Sequence, residues 1–103
     1  MATDRIGTAE LFENERVKIW DFVVEPGERV PFHTHHRDHV IVVLEGSALE
    51  VTYEGGGTRR FDPKPGEWHV GMVEGEDTHD AVNIGTTRYR NLIIELKEPR
   101  PRR

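Results

Sequence analysis

Four of the six histidines in this 103-residue chain fall in one short segment, at His33, His35, His36 and His39. In an extended strand, residues i and i+2 point to the same face, with Cα atoms about 6.5 Å apart. His33 and His35 could therefore bring two imidazoles to one metal ion, because metal–imidazole bonds are about 2.1 Å long. A third ligand must come from another strand, since one strand cannot surround an ion. A solvent-exposed histidine-rich loop is the alternative interpretation.

Short β-rich runs separated by Gly, Pro and Asn turn signals predict the elements that would position these imidazoles. Eight or nine strands are expected, at residues 8–12, 16–24, 29–35, 39–44, 48–53, 58–62, 67–73, 80–83 and 88–96. Residues 74–78 are expected to form a polar loop. Because no long helical pattern is present, the chain is predicted to be all-β, as a compact barrel or a double-sheet jelly roll.

Composition and charge exclude several classes of site and partner. The net charge of −5 and the lack of a basic face argue against nucleic acid, and the absence of cysteine excludes disulfides and thiolate metal sites. Residues 1–10 have no apolar core segment and therefore do not resemble a signal peptide. No apolar run approaches the roughly 20 residues that span a bilayer. We expect a cytoplasmic protein with no membrane partner.

The length suits one domain over residues 1–103, with a core at about 10–97 and short flexible termini. The basic run at residues 100–103 is expected to be a solvated tail.

The histidine spacing resembles the first motif of the cupin family, G-x5-H-x-H-x3-E-x6-G. Gly27, His33, His35, His39 and Gly46 fit every spacing, although His39 stands where the family usually has Glu. The resemblance extends over roughly residues 10–97. It is strongest at 33–50 and 79–95, which are similar to small stand-alone cupins described as β-alanine degradation proteins. It implies a cupin double-stranded β-helix, that is, a jelly-roll barrel.

The second cupin motif, G-x5-P-x-G-x2-H-x3-N, leaves two candidates for the third ligand. His79 is followed by Asn83 at the H-x3-N spacing, although Gly75 replaces the P-x-G element and a two-residue insertion separates His79 from Gly66. His69 follows Gly66 at the G-x-x-H spacing, but no Asn lies four residues on. Because His69 would also leave too few residues for the hairpin between the motifs, His79 is favoured.

The resemblance implies one divalent metal ion, Fe, Mn, Ni, Cu or Zn, on His33, His35 and His79. His39 is predicted to be a fourth ligand or a nearby proton carrier, and it is the candidate catalytic residue. Three neutral imidazoles would leave the ion its full positive charge, which favours anionic ligands. If the histidines face inward, the predicted substrate-binding side chains are Trp20, Phe22, Ile41, Met72 and Tyr89.

We therefore predict a metal-dependent enzyme, a dioxygenase, isomerase or lyase, that acts on a small organic acid or an enolisable carbonyl compound. The alternative is a cupin module that binds a metal or a small molecule without turnover, because fold does not imply function. On the strand that carries His39, Val40, Val42 and Leu44 would face outward. Their apolar character suggests a covered second face and hence a homodimer.

Overall fold

The computed structural model describes residues 2–99; residue 1 and the predicted basic tail at 100–103 lie outside the described residues. Within this range the chain forms nine strands and contains no helix long and apolar enough to cross a membrane. The strands are β1 (Ala9–Glu13), β2 (Val17–Val24), β3 (Arg29–His35), β4 (His39–Glu45), β5 (Leu49–Thr52), β6 (Thr58–Phe61), β7 (Trp68–Gly71), β8 (Asp77–Asn83) and β9 (Tyr89–Leu96). The all-β prediction is confirmed.

The strands form two antiparallel sheets that enclose the site. The five-stranded sheet has the order β1-β2-β9-β4-β7, and the four-stranded sheet has the order β3-β8-β5-β6. Neighbours in each sheet are mostly distant in sequence, as β2 and β9 are. The two histidine-bearing strands β3 and β4 therefore lie in different sheets although they are consecutive in the chain.

Alternate side chains fill the space between the sheets, as the two-residue period of a strand requires. On β2, Trp20, Phe22 and Val24 are buried, and on β9 the odd-numbered residues from Tyr89 to Glu95 are buried. Each fully buried apolar side chain contributes about 1.5–3 kcal/mol to stability. This core holds the five-stranded sheet as a firm wall on one side of the histidines.

Strand β8 begins earlier than the sequence indicated. We expected a loop at 74–78 and a short strand at 80–83. Residues 74–76 do lie outside the strands, and 80–83 lie in one, but the boundary is wrong, because β8 pairs with β3 from Asp77 onward. The hydroxyls of Thr34 and Thr78 lie 2.8 Å apart across this pair and satisfy each other. Two polar residues of the expected loop, Asp77 and Thr78, therefore belong to a paired strand, and His79 lies inside that strand.

The outer face of the five-stranded sheet carries one apolar row of cross-strand partners, which we call the outer row. It crosses all five strands as Phe12, Ile19, Ile94, Val40 and Val70. Phe12 and Val70, at the two ends of the row, are 52% and 50% exposed. The row joins exposed apolar surface on β7, where Trp68 is a neighbour of Val42 across the pair.

Candidate metal centre

Three imidazoles from two strands converge between the sheets. His33 and His35 lie on β3 and His79 lies on β8. One ring nitrogen from each lies within 4.8 Å of those of the other two. The ring centroids are 4.7 Å apart for His33 and His79 and 5.0 Å apart for His35 and His79. Three imidazoles at this separation can be ligands of one metal ion.

Strand geometry explains the convergence. His33 and His35 are two residues apart on β3 and so share its inner face. His79 is the direct cross-strand partner of His33, and a β-bulge between Val30 and His33 sets that register. Bulges commonly re-aim side chains beside functional sites. The register of β3 against β8 therefore supplies the third ligand.

Hydrogen bonds hold two of the rings in a defined tautomer. The Nδ1–H of His33 donates to the carbonyl of Pro31 at 3.0 Å, and that of His79 donates to the Asp77 carboxylate, also at 3.0 Å. In these neutral tautomers Nε2 keeps its lone pair and can bind a metal. A carboxylate behind a metal-ligating histidine orients the ring and raises its basicity. Asp77 therefore belongs to the site.

Burial favours the neutral, metal-binding form of the β3 histidines. Desolvation lowers the pKa of His33, with the neighbouring His79 adding to the effect. Desolvation, followed by the charges of His39 and His33, lowers the pKa of His35 to about 2. Both rings are therefore neutral at ordinary pH, so protons do not compete with a metal ion for their nitrogens.

The residues present fit a divalent metal ion. Nδ1 of His35 is buried and, within residues 2–99, has no hydrogen-bond partner. The protein therefore does not fix the His35 ring in either neutral tautomer through Nδ1. Three neutral imidazoles suit Fe, Ni, Cu or Zn, and Mn where geometry allows. The set contains no carboxylate ligand.

His39 lies beside this set without joining it. It is buried on β4, and its ring stacks on that of His35 with centroids 4.4 Å apart. Its Nδ1–H donates to the carbonyl of Arg37 at 3.0 Å, which leaves Nε2 as an acceptor. His39 is not one of the three residues whose ligand atoms are mutually within 4.8 Å. Its role as fourth ligand, proton carrier or catalytic residue stays a prediction.

The imidazoles open into a cavity of about 340 Å³ between the sheets. Of the predicted wall residues, Phe22, Ile41 and Tyr89 line it, as does Ala81. The whole wall is mainly apolar. Its polar members are five histidines, His33, His35, His39, His69 and His79, together with Tyr53, Asp77, Tyr89 and Asn91.

Two predicted wall residues lie elsewhere. Trp20 is 3% exposed, and its Nε1–H donates to Glu95 at 2.7 Å, away from the lining residues. Met72 follows β7 and is 58% exposed. Trp20 shares the inward face of β2 with Phe22, but its cross-strand partner Ile93 lines the cavity and Trp20 does not. Neither residue lines the cavity, and a role of either in binding a ligand stays a prediction.

His69, the alternative third ligand, lies on β7 and lines the cavity from an exposed position. Its Nε2 is 3.3 Å from the Glu67 carboxylate. It is the cross-strand partner of Ile41 on the five-stranded sheet, whereas His33 and His79 pair within the other sheet. The structure therefore brings His79, not His69, to the β3 histidines.

Three polar residues of the cavity wall were missed by the sequence reasoning. Tyr53 follows β5, and its ring lies 5.7 Å from that of His79. Asp77 was placed in a loop, although its position two residues before His79 puts both on one face of β8. Asn91 alternates with Tyr89 and Ile93 on β9, so strand parity alone could have identified it.

Comparison with known proteins places this site in a family context. A family model described as auxin binding protein matches residues 4–94. The chain is 30% identical over 90 residues to Auxin-binding protein 1 of Arabidopsis thaliana, an alignment that covers 82% of this chain and 44% of that protein. The chain thus spans about half the length of the curated relatives it matches.

Solved structures share the architecture. A cupin domain from Bordetella pertussis Tohama I has a TM-score of 0.78 and 26% identity, covering 95% of this chain and 98% of that one. The polyketide cyclase RemF of Streptomyces resistomycificus has a TM-score of 0.63 and 24% identity, covering 98% of this chain and 76% of that one. The RemF likeness concerns the fold alone. The predicted double-stranded β-helix is confirmed.

Proposed function

This chain belongs to the auxin-binding protein family, a cupin-type family, and we propose that it binds a small organic acid through one divalent metal ion on His33, His35 and His79. The observation that carries the proposal is the set of three convergent, largely buried imidazoles at a cavity with a mainly apolar wall. The curated relatives are named for binding auxin, which agrees with a small-ligand role.

The charge of the cavity favours an anionic ligand. A metal ion bound by three neutral imidazoles keeps its full 2+ charge and acts as a Lewis acid. Among residues 2–99, no Lys or Arg lines the cavity. The ion would therefore be the only fixed positive charge available to a carboxylate there, and the apolar wall would cover the rest of the ligand.

Turnover of that acid is the second candidate function. It is favoured by His39, which lines the cavity next to His35 and has Nε2 left as an acceptor by its bond to Arg37. His39 would take or give a proton on the bound ligand. An isomerase, lyase or dioxygenase would use such a residue, whereas a binding module would not need it.

Metal content tests the proposal. Untagged wild-type protein is expected to hold about one equivalent of metal by elemental mass spectrometry. His79→Ala should lose it, because two imidazoles rarely retain a divalent ion through purification. His69→Ala is the matched control, since His69 lines the cavity outside the ligand set, and it should keep the metal. A wild-type protein that takes up no metal after reconstitution would refute the proposal.

Calorimetry with auxin and other small carboxylic acids then tests the ligand. Binding is expected to the metal-loaded protein and to be lost after chelation. Recovery of the bound acid unchanged would identify a binding module. Conversion that is abolished in His39→Ala would identify an enzyme.

The proposal includes a homodimer formed through the outer row. Five apolar side chains in line across a sheet, with exposed Trp68 beside them, make a surface that a small domain gains stability by covering. A second copy of the chain carries the same apolar row, so a two-fold contact matches like with like.

A further inference from the structure

A second polar group of the cavity lies on β9, further along the five-stranded sheet than His39. Tyr89 and Asn91 are both buried on the inner face of β9, and both line the cavity. Asn91 pairs with Val43 of β4, whereas His39 pairs with Glu95, four residues further along β9. At about 3.3 Å per residue, these two levels are about 13 Å apart along the strand. Phe22 is the direct cross-strand partner of Asn91, and its ring lies 6.2 Å from the His33 ring and 6.1 Å from the Tyr89 ring.

The hydrogen bonds of Asn91 are incomplete. Its Nδ2 donates to the Tyr89 hydroxyl at 2.7 Å. Its Oδ1 is buried and, within residues 2–99, has no hydrogen-bond partner. The residue is only 4% exposed, so bulk solvent does not supply the missing partner. A buried acceptor without a partner is destabilising and rare in folded proteins.

Asn83, another fully buried asparagine, shows the contrast. Its Oδ1 accepts bonds from Ser47 and from the backbone of Gly85, and its Nδ2 donates to the carbonyls of Val24 and Thr87. The protein therefore satisfies a buried amide completely where the amide is structural. At Asn91, a residue of the cavity wall, it leaves the amide oxygen without a partner among residues 2–99.

The chemistry that remains does not depend on how the Asn91 amide is turned. In the orientation described, Oδ1 is left as an acceptor, and the Tyr89 hydroxyl keeps its own hydrogen to donate. If the amide were reversed, Tyr89 would donate to Oδ1, leaving an Nδ2–H donor and an acceptor lone pair on the Tyr89 oxygen. Either way, the pair presents at least one donor and one acceptor side by side.

We propose that Tyr89 and Asn91 form a second subsite that binds a hydroxyl or amide group of the ligand, at the end away from its acid group. A hydroxyl or a carboxamide both donates and accepts, so it satisfies both free functions at once. The ligand class is then an organic acid with an apolar body and a distal hydroxyl or amide. The acid end rests on the proposed function; the subsite itself needs no metal.

Metal-free protein tests the subsite separately. p-Cresol and toluene have nearly the same shape and differ by one hydroxyl, and neither carries an acid group. Each is titrated into chelator-treated, ¹⁵N-labelled protein while the side-chain amide signals of Asn91 and Asn83 are followed by NMR. p-Cresol should shift the Asn91 signal and bind about five- to tenfold more tightly than toluene. The Asn83 signal is the internal control and should not move.

Two variants complete the test. Tyr89→Phe and Asn91→Leu should each bring p-cresol affinity to within about twofold of toluene affinity, with toluene binding unchanged. If Asn91→Leu does not fold, Tyr89→Phe gives the same comparison, because it removes only one oxygen. Equal affinity of the two probes for wild type, a preference that survives Tyr89→Phe, or no shift of the Asn91 signal would each overturn the subsite. Loss of metal binding would refute the proposed function and leave this result unaffected.

Discussion

At the scale of single residues, Asp77 shows how the surroundings of a ligand adjust it. Its carboxylate accepts the Nδ1–H of His79 at 3.0 Å and so presents Nε2 to the cavity. The Pro31 carbonyl does the same for His33. A side chain therefore fixes the tautomer of His79 on β8, whereas a backbone carbonyl fixes that of His33 on β3.

Asp77→Ala is expected to weaken metal binding about 10- to 100-fold, because His79 loses the partner that orients it. Competition for Zn²⁺ with a chromophoric chelator measures this change. Glu76→Ala removes the adjacent exposed carboxylate and should leave the affinity as in wild type. Equal losses in both variants would show that Asp77 acts only through general charge.

His35 predicts a pH dependence of stability for the metal-free protein. Its pKa is lowered from 6.5 to about 2 by burial and by the neighbouring imidazoles of His39, His33 and His79. Asp77, its cross-strand partner, is the acidic group that faces it. Below its unfolded pKa, the unfolded chain binds a proton at His35 that the folded chain does not, so stability must fall as pH falls.

Relative to His35→Gln, wild type should lose about 2 kcal/mol of unfolding free energy between pH 7 and pH 5. Urea unfolding of chelator-treated protein measures this difference. His36→Gln removes an exposed imidazole and is the matched control, expected to follow the wild-type profile. A constant difference between wild type and His35→Gln would contradict the prediction.

At the scale of elements, β7 is shaped around His39. A Cβ placed on Gly71 would overlap the His39 imidazole, so only glycine leaves room for this ring at the β4–β7 pair. The histidine that replaces the family's usual glutamate is thus accommodated by a neighbouring strand.

Gly71→Ala should destabilise the protein by about 1–3 kcal/mol, the usual cost of overpacking. It should leave metal stoichiometry unchanged, because His33, His35 and His79 lie on the other sheet. Gly55→Ala is the control, since a Cβ there meets nothing within 4 Å. Chemical denaturation of both variants provides the comparison, and equal stability of Gly71→Ala and wild type would show that His39 moves freely.

At the scale of the whole molecule, the two sheets differ in what they contribute. The four-stranded sheet carries the three proposed ligands, and the five-stranded sheet supplies His39, Phe22 and the Tyr89–Asn91 pair. The outer row lies on the outer face of the five-stranded sheet. Contact at that row would therefore support the wall of the cavity from behind.

Val70→Lys should convert the proposed dimer to a monomer, because it places a charge at the exposed end of the outer row. Light scattering after size-exclusion chromatography measures the mass. Ile84→Lys, at an exposed apolar residue between β8 and β9, should leave the dimer intact. A wild-type protein that is monomeric at micromolar concentration would exclude the dimer.

Cytoplasmic location and a single domain over 1–103 stay predictions.

Sequence alone was enough to predict the strand pattern, apart from the start of β8, and the pair at His33 and His35. Both follow from the two-residue period of a strand, which is local. It also led to the double-stranded β-helix, through the spacing from Gly27 to Gly46. Local rules extend to which face a residue occupies, as they do correctly for Phe22, Ile41 and Tyr89.

The contacts between side chains on different strands could be read only from the three-dimensional structure. The choice of His79 over His69, the place of Asp77, and the absence of Trp20 and Met72 from the cavity lining all depend on register and on how neighbouring strands lie against one another. Register between β3 and β8 is set by a bulge and by pairing over more than 40 residues of sequence. A local sequence pattern does not encode these contacts. It shows which face of a single strand a residue occupies, whereas the site is formed by residues from several strands.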